Sequence, residues 1–242
     1  MEFPRGLISA LRGSTRTVVL TGSGISAESG VPTFREAQIG LWARFDPQEL
    51  ATPEAFERDP GLVWDWYAWR RKLVAEARPN PGHLAISGMQ ELFPDLTLVT
   101  QNVDGLHQRA GSREVIELHG NIRRTKCSLE GIEVEEYDDT ESPPVCPSCS
   151  APLRPDVVWF GEMLPPAALE SASEASRKSD VFLSVGTSSL VYPAAALPLE
   201  ALENGATLVE VNPGETPLTS RVDYELRGPA GDVLPRLIRE LS

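Results

Sequence analysis

Residues 17–27 read Thr17-Val18-Val19-Leu20-Thr21 and then Gly22-Ser23-Gly24-Ile25-Ser26-Ala27. The first five residues form a short β-branched run with the length of a buried strand. The next six match the pattern G-x-G-x-x-[GA], in which glycines after a first strand let the backbone approach a pyrophosphate closely. A plain tight turn fits the same residues, so both interpretations stay open at this point.

Apolar runs of this kind alternate with segments of helical period along the rest of the chain. The further strand-like runs are Leu96–Thr100, Val115–His119, Val181–Gly186 and Thr207–Asn212. The helical patterns are Gly82–Phe93, Pro166–Arg177, Pro193–Glu203 and Asp232–Leu241. Alternation of strand and helix predicts an α/β fold, with a parallel sheet covered by helices on both faces.

Two segments interrupt this alternation. Arg35–Pro79 has helix signals and four of the five Trp but no strand pattern, and Cys127–Leu153 is acidic, Pro-rich and holds all three Cys. We interpret them as insertions that form one smaller domain beside the sheet. The predicted boundaries are residues 1–34, 80–122 and 154–242 for the sheet domain, 35–79 for a helical module and 123–153 for a cysteine-bearing module.

The composition restricts the class of protein. Hydrophobic residues make up 41% and charged residues 24% of the chain, which is typical of a water-soluble globular protein. The formal charge of −13, from 22 Lys and Arg against 35 Asp and Glu, repels phosphate backbones and anionic lipid. We therefore expect no nucleic-acid or membrane partner. Three Cys and the absence of a signal-like segment predict a cytoplasmic protein.

Polar residues follow the carboxyl end of each predicted strand, where doubly wound sheets bind their ligands. Although loop residues are often polar for no other reason than solvent exposure, five such ends at one edge favour a ligand site. The residues concerned are Gln101-Asn102-Val103-Asp104, His119-Gly120, Gly186-Thr187-Ser188 and Asn212, together with the Gly22–Ser26 turn.

His119 is the histidine best placed for chemistry, because it ends an apolar strand where an imidazole with a near-neutral pKa could act as a general base. A hydrogen-bonded core histidine is an equally good interpretation of the sequence alone. His83 and His107 fall in or near helical segments, so we expect surface or capping roles for them. A hydride-transferring dehydrogenase is disfavoured, since Asp46 and Glu49 lie at about the expected distance for the acidic residue but on no strand.

Taken together, the motifs closely resemble those of the sirtuins, the NAD-dependent protein-lysine deacylases. They occur in the family's order from residue 17 to about residue 231. The matching stretches are Gly22–Arg35 (GSGISAESGVPTFR), Thr100–Asp104 (TQNVD), Leu118–Gly120 (LHG), Val158–Glu162 (VWFGE) and Gly186–Ser188 (GTS).

The resemblance implies a Rossmann-like domain and a small domain with a helical and a zinc-ribbon-like module, with NAD and the acyl-lysine of a protein substrate meeting between them. It implies that NAD is consumed, giving nicotinamide, free lysine and O-acyl-ADP-ribose, and that His119 is the base, with Asn102 as the second catalytic residue. The extended segment Val158, Trp159, Phe160 and Gly161 would pair with the substrate backbone. The implied NAD-binding residues are Gly22, Ser23, Gly24, Ser26, Ala27, Thr33, Phe34, Arg35, Gln101, Asn102, Asp104, Gly186, Thr187, Ser188, Asn212 and Ala230.

Tyr67 and Arg70 stand three residues apart in a helical stretch, so they share a face. Arg binds a carboxylate through a planar fork, and Tyr adds a neutral donor. From the residues alone, Arg70 is a surface residue or one stacked on Trp66. Within the resemblance, Tyr-x-x-Arg and the small Ala51 are similar to the bacterial and archaeal subgroup that removes succinyl and malonyl groups and in part acetyl groups.

The Cys-bearing module departs from the family pattern of two Cys pairs. Cys146-x-x-Cys149 is intact, whereas Glu130 stands where the partner of Cys127 is expected. Three thiolates and a carboxylate can complete a zinc tetrahedron, and the other possibility is a metal-free loop.

A second function also stays open for the whole chain, namely a non-catalytic sensor of NAD or ADP-ribose.

Overall fold

A computed structural model describes residues 2–32, 46 and 50–241, and the structural statements below concern these residues. Its centre is a six-stranded sheet in which every pair of neighbouring strands is parallel. The strands of this sheet are β1 (Arg16–Thr21), β2 (Asp95–Thr100), β3 (Ile116–Glu117), β6 (Val181–Val185), β7 (Thr207–Asn212) and β8 (Tyr224–Arg227).

The strand order is β3-β2-β1-β6-β7-β8. From β1 the chain builds outward through β2 and β3, and then returns to the other side of β1 for β6, β7 and β8. The order of strands therefore reverses between β1 and β6, which is the arrangement of dinucleotide-binding folds. Ligands of such sheets bind outside the carboxyl ends of the strands at this reversal. The predicted doubly wound parallel sheet is confirmed.

Helices cover both faces of the sheet, as predicted. β1 shows why the sequence requires this, because Val19 packs into the core on one face while Val18 and Leu20 pack into the core on the other. The helices are α1 (Arg5–Gly13), α2 (Gly24–Ala27), α3 (Pro53–Arg58), α4 (Pro60–Glu76), α5 (Pro81–Leu92), α6 (Leu106–Arg109), α7 (Pro166–Lys178), α8 (Leu197–Glu203) and α9 (Ala230–Leu241). Helices α1, α5 and α9 pack on one face, and α7 and α8 on the other.

The elements beside the sheet are α3, α4 and an antiparallel ribbon of β4 (Gly120–Cys127) and β5 (Leu153–Val157). Arg71 of α4 joins helix and ribbon, since its Nε donates to the carbonyl of Ile122 at 2.7 Å while its guanidinium lies 4.8 Å from the Trp64 ring. Helical and cysteine-bearing segments thus pack together, as the interpretation of two insertions expects. The boundaries given for the domains stay predictions.

The structure also corrects details. The predicted strand Val115–His119 is reduced to the two residues of β3, which leaves His119 in the loop beyond the strand end. Helix α1 and strand β8 were not predicted; β8 has only four residues and includes the charged Glu225 and Arg227. Within the described ranges, no helix has the length and apolar character that a membrane crossing requires.

Candidate active site

A cleft of about 680 Å³ lies at the carboxyl ends of the sheet strands. One wall is formed by the loops that follow β1, β2, β6 and β7, and the other by α4 and the segment after β5. Most residues singled out from the sequence line it. These are Gly22, Ser23, Gly24, Ser26, Ala51, Tyr67, Arg70, Gln101, Asn102, Asp104, His119, Val158, Trp159, Phe160, Gly161, Gly186, Thr187, Ser188 and Asn212.

Some predicted residues lie elsewhere. Ala27 and Ala230 are not among the residues that line the cleft, and Ala230 is packed in the core at the start of α9. Thr33, Phe34 and Arg35 lie outside the described residues. The NAD contacts of these five residues, like those of the residues that line the cleft, stay predictions.

Close packing of two turns accounts for the glycines of the first motif. Gly22 N–H donates to the carbonyl of Val185 at 3.0 Å, and Gly24 N–H donates to the carbonyl of Gly186 at 2.7 Å. A Cβ on Gly24 would lie 2.7 Å from that same oxygen, and Gly186 itself has a φ of +60°. The glycines are thus required where the turn after β1 meets the turn after β6. These two amides are already used within the protein, so a pyrophosphate must be bound by neighbouring groups.

Amide and hydroxyl side chains connect the loops along the cleft. Gln101 Nε2 donates to Thr187 Oγ1 at 3.0 Å, and Asn212 Nδ2 donates to the Thr187 carbonyl at 3.1 Å. Thr187 therefore joins the loops that follow β2, β6 and β7. Such neutral polar groups suit the hydroxyls of a ribose.

A largely buried carboxylate also lines the cleft. Asp104 is only 4% exposed, and its oxygens accept hydrogen bonds from Ser26 Oγ at 2.7 Å and from the Leu106 N–H at 2.8 Å. Burial raises the pKa of Asp104, and these two hydrogen bonds and the Arg70 charge oppose that rise. Asn102 Nδ2 donates to Ser26 Oγ at 3.1 Å, so Ser26 holds the two predicted cleft residues in one arrangement.

The predicted surface position of His83 and His107 is wrong, because both side chains are buried. Their ring centroids lie 4.9 Å apart with the planes tilted by 59°, beneath Ser26 and Thr21. Burial lowers the pKa of His83 to about 4 and that of His107 to about 3, so both are neutral at physiological pH. The capping role is confirmed for His83, whose Nδ1 accepts from the Asn80 N–H at the start of α5.

His119 has the geometry of a base. Its Nδ1 lies 2.8 Å from the carbonyl oxygen of Gln101, and since that oxygen only accepts, Nδ1 carries the proton. Nε2 is then the basic nitrogen of a neutral ring. Desolvation lowers the pKa of His119, and the hydrogen bond to Gln101 opposes this. His119 is therefore hydrogen-bonded, as a core histidine would be, and it also lines the cleft, as a general base must.

Tyr67 and Arg70 meet at the α4 side of the cleft. Tyr67 is 1% exposed, and its hydroxyl accepts from Trp159 Nε1 at 3.1 Å, which leaves the hydroxyl proton for another acceptor. Burial raises the pKa of Tyr67 to about 12, so it is a neutral donor. The Arg70 guanidinium lies 5.0 Å from the Trp66 ring centroid, so the predicted stacking is confirmed in a residue that also lines the cleft.

The segment Val158–Gly161 lines one edge of the cleft and ends in a turn, in which the Glu162 N–H donates to the Trp159 carbonyl at 3.0 Å and Gly161 has a φ of +87°. Val158 N–H donates to the His119 carbonyl and Phe160 N–H to the Ala51 carbonyl, each at 2.9 Å. Glu162 fixes the end of the segment, because it accepts from the Trp159 N–H at 2.8 Å and pairs with Arg154 through two hydrogen bonds of 2.6 and 2.9 Å.

The cysteine-bearing module brings four candidate metal ligands together. The ligand atoms of Cys127, Glu130, Cys146 and Cys149 all lie within 4.8 Å of one another, and the Cys127 and Cys149 sulfurs are 3.4 Å apart. A tetrahedral zinc with bonds of ~2.3 Å places its sulfurs ~3.8 Å apart, so the set fits that ion. Backbone N–H groups of Cys149 and Ser148 lower the pKa of Cys146, whereas, against the Ala151 N–H, the Cys127 and Cys146 thiols raise the pKa of Cys149 to about 11. Binding of a metal would therefore have to displace the proton of Cys149.

Several cleft residues were not identified from the sequence. Leu190–Pro193 and Gly214–Pro217 line the wall that follows β6 and β7, and Glu162 lines the opposite edge. Glu162 lies within a motif already quoted, and Leu190–Pro193 begin two residues after Ser188, so closeness in sequence to a recognised motif was the available signal. No local pattern marks the loop 214–217.

Comparisons with known proteins agree on one family. A model of the Sir2 family matches residues 22–193. The protein named NAD-dependent protein deacylase of Aquifex aeolicus (strain VF5) is 57% identical over 222 residues, covering 91% of this chain and 92% of the relative. A crystal structure of a Sir2 homologue–NAD complex superposes with a TM-score of 0.93 at 47% identity, covering 99% of this chain and 94% of the other. A mutant Sir2 homologue in complex with 2'-O-acetyl ADP ribose has a TM-score of 0.91 at 47% identity, covering 99% and 96%.

Proposed function

This chain belongs to the Sir2 family and is an NAD-dependent protein deacylase, and on that premise we propose that it removes succinyl and malonyl groups from protein lysines, and acetyl groups as well.

The observation that carries the acyl preference is the pair Tyr67 and Arg70. A succinyl or malonyl group ends in a carboxylate, which is costly to bury without a charged partner. Among the described residues that line the cleft, Arg70 is the one cation, and its fork can bind both carboxylate oxygens. The Tyr67 hydroxyl, fixed by Trp159, adds a donor. Ala51 is small and leaves room beside them. An acetyl group fits the same space without using the pair.

The cleft also fits NAD. Its volume of about 680 Å³ lies within the range of cofactor sites, and it offers hydroxyl, amide and backbone groups rather than a second cation among the described lining residues. When bound, NAD would supply the ribose carbon for the acyl oxygen as nicotinamide leaves, and with the consumption of one water the products would be nicotinamide, the free lysine and O-acyl-ADP-ribose. Asn102 and Asp104 line the same cleft as His119 and would orient the ribose there.

His119 acts as the base of this reaction. The Nδ1 proton is held by the Gln101 carbonyl, so Nε2 is available to accept the proton of a ribose hydroxyl. The lowered pKa of His119 keeps Nε2 unprotonated at neutral pH. The hydrogen bond to Gln101 stabilises the imidazolium formed after proton transfer.

Acyl-lysine-bearing proteins are the partners. The segment Val158–Gly161 would pair with the substrate backbone beside the acylated lysine, which gives affinity with little demand on sequence. The pairing would use backbone groups other than the Val158, Trp159 and Phe160 N–H groups, which are hydrogen-bonded within the protein. Phe160, which lines the cleft and is 43% exposed, would contact the substrate chain.

Zinc is proposed as a structural ion held by Cys127, Glu130, Cys146 and Cys149. Its site lies between the strands β4 and β5, away from the cleft residues, and would fix the hairpin that connects them. Glu130 takes the place of a fourth thiolate.

The test of the acyl preference is a comparison of kcat/KM for one peptide carrying succinyl-, malonyl- or acetyl-lysine, with product masses recorded in the presence and absence of NAD. The proposal predicts NAD-dependent removal of all three groups, with the two acidic groups preferred. Removal of acetyl alone would contradict the assignment of Tyr67 and Arg70, although deacylation itself would stand.

A further inference from the structure

The loop after β7 forms the end of the cleft that lies farthest from His119. The strand ends between them follow the order β3-β2-β1-β6-β7, which is four strand intervals, or ~19 Å at ~4.8 Å each. With the base at the β3 end, an extended dinucleotide would place its adenosine half against the loop 213–217, of which Gly214–Pro217 line the cleft. The shape of this loop therefore matters for cofactor binding.

A buried carboxylate lies directly beneath that loop. Glu210 stands in the apolar run of β7, between Val209 and Val211, and is only 1% exposed. An apolar residue would suit a buried strand position better, because burying a carboxylate is costly unless hydrogen bonds compensate. Glu210 has such bonds, one from a threonine of the loop and one from a threonine two residues after it. Thr216 Oγ1 donates to one oxygen, and Thr219 Oγ1 donates to the other at 2.6 Å.

The same two hydroxyls also accept hydrogen bonds from the loop backbone. Thr219 Oγ1 accepts from the Thr216 N–H at 2.9 Å, and Thr216 Oγ1 accepts from the Leu218 N–H at 3.1 Å. Each hydroxyl therefore has one direction left for its proton, which is toward Glu210. The carboxylate, with its two acceptor oxygens, is the group that satisfies both hydroxyls at once, and it fixes the loop in one conformation.

We propose that Glu210 is a positioning residue for NAD: through Thr216 and Thr219 it holds the loop 213–217 in the shape that binds the adenosine half. The inference rests on the proposed NAD site, but it concerns binding and not the acyl chemistry. It predicts a selective effect, because the acyl pocket at Tyr67 and the base His119 lie at the other end of the cleft.

The test compares Glu210→Gln, Thr219→Val and Thr219→Ser with the wild type. Gln offers one acceptor oxygen in place of two at nearly the same volume, Val removes one donor, and Ser retains it. Ser184→Ala is the matched control, since Ser184 is equally buried and pairs in register with Glu210 on the neighbouring strand, yet its hydroxyl has no partner among the described residues. Calorimetry gives the Kd of NAD and of ADP-ribose, thermal unfolding gives Tm, and steady-state rates give kcat and the KM of the acyl peptide.

The expected result is a rise of about tenfold in the Kd of both NAD and ADP-ribose for Glu210→Gln and Thr219→Val, because a buried partner is left unsatisfied. The kcat at saturating NAD and the peptide KM should stay within about twofold. Thr219→Ser and Ser184→Ala should bind both nucleotides as the wild type does.

Unchanged Kd values, or equal changes in peptide KM and kcat, would overturn the inference. If Glu210→Gln lowers Tm so far that it does not fold, the comparison of Thr219→Val with Thr219→Ser decides. A wild type that binds ADP-ribose without deacylating any peptide would refute the proposed function, and the Kd comparison would still test Glu210. A wild type that binds neither nucleotide would overturn both.

Discussion

Replacement of Arg70 by Met should separate acidic from neutral acyl groups. Met retains most of the apolar length that packs near Trp66 and Tyr67 but removes the charge and the fork. A succinyl carboxylate would then be buried with the Tyr67 hydroxyl as its remaining donor. Leaving a buried charge without its partner costs about 3 kcal/mol, which is roughly a hundredfold in kcat/KM. Acetyl-lysine makes no use of the guanidinium, so its kcat/KM should change by less than about threefold.

The assay measures initial rates with matched succinyl- and acetyl-lysine peptides at saturating NAD, for wild type, Arg70→Met, Arg70→Lys and Tyr67→Phe. Lys keeps the charge but lacks the planar fork, so we expect an intermediate loss of about tenfold for succinyl. Tyr67→Phe removes one neutral donor and should lower succinyl turnover by about tenfold as well. The ratio of the two substrates cancels differences in the amount of active enzyme.

Two results would refute this reasoning. Equal losses for succinyl and acetyl would mean that Arg70 supports the fold or the cofactor rather than the acyl group. Unchanged rates for both would mean that Arg70 is a residue stacked on Trp66 with no contact to substrate.

Three other changes have defined outcomes. Burial lowers the pKa of His119 below the ordinary ~6.5 and the neutral ring is the active form, so kcat/KM for an acetyl peptide should be flat above pH 7 and fall only below that lowered pKa; a fall that starts above pH 7 would contradict the lowered pKa of His119. Glu130→Gln should lose zinc to a chelator about tenfold faster than the wild type, as measured by metal analysis. A wild type that holds no zinc after metal loading would instead favour the metal-free loop. Gly186→Ala should lower the free energy of unfolding by about 2 kcal/mol, because φ is +60° and the new Cβ would lie 2.5 Å from the Ile25 nitrogen. The control Gly13→Ala, whose new Cβ has nothing within 4 Å, should not lower it. Equal stability of the two variants would contradict this prediction.

The sheet could be predicted because its strands are buried on both faces. A strand such as β1 must be apolar at consecutive positions, and such runs, followed by Gly or polar residues, are visible in the sequence. Strand β8 was not predicted, and strand β3 was predicted to be longer than it is, for the opposite reason. They are short and lie at the edges of the sheet, where fewer residues need to be apolar.

The cleft could be predicted in part, because residues at strand ends converge in any parallel sheet. Burial could not be predicted where it arises between distant elements. His83 and His107 looked like surface residues because their helices are amphipathic or short, yet they face each other beneath the turn after β1. Glu210 shows the same difficulty. A single acid in an apolar strand gives no hint of the two hydroxyls that satisfy it, since these come from a loop six and nine residues further on.

The most direct test of the whole account is the stoichiometry of one reaction, measured by mass spectrometry on a succinyl-lysine peptide with NAD. The account predicts one nicotinamide and one O-succinyl-ADP-ribose for each succinyl group lost, and no turnover in His119→Ala, which should still bind NAD. Loss of succinyl without NAD, or release of nicotinamide with the succinyl group still on the peptide, would contradict it.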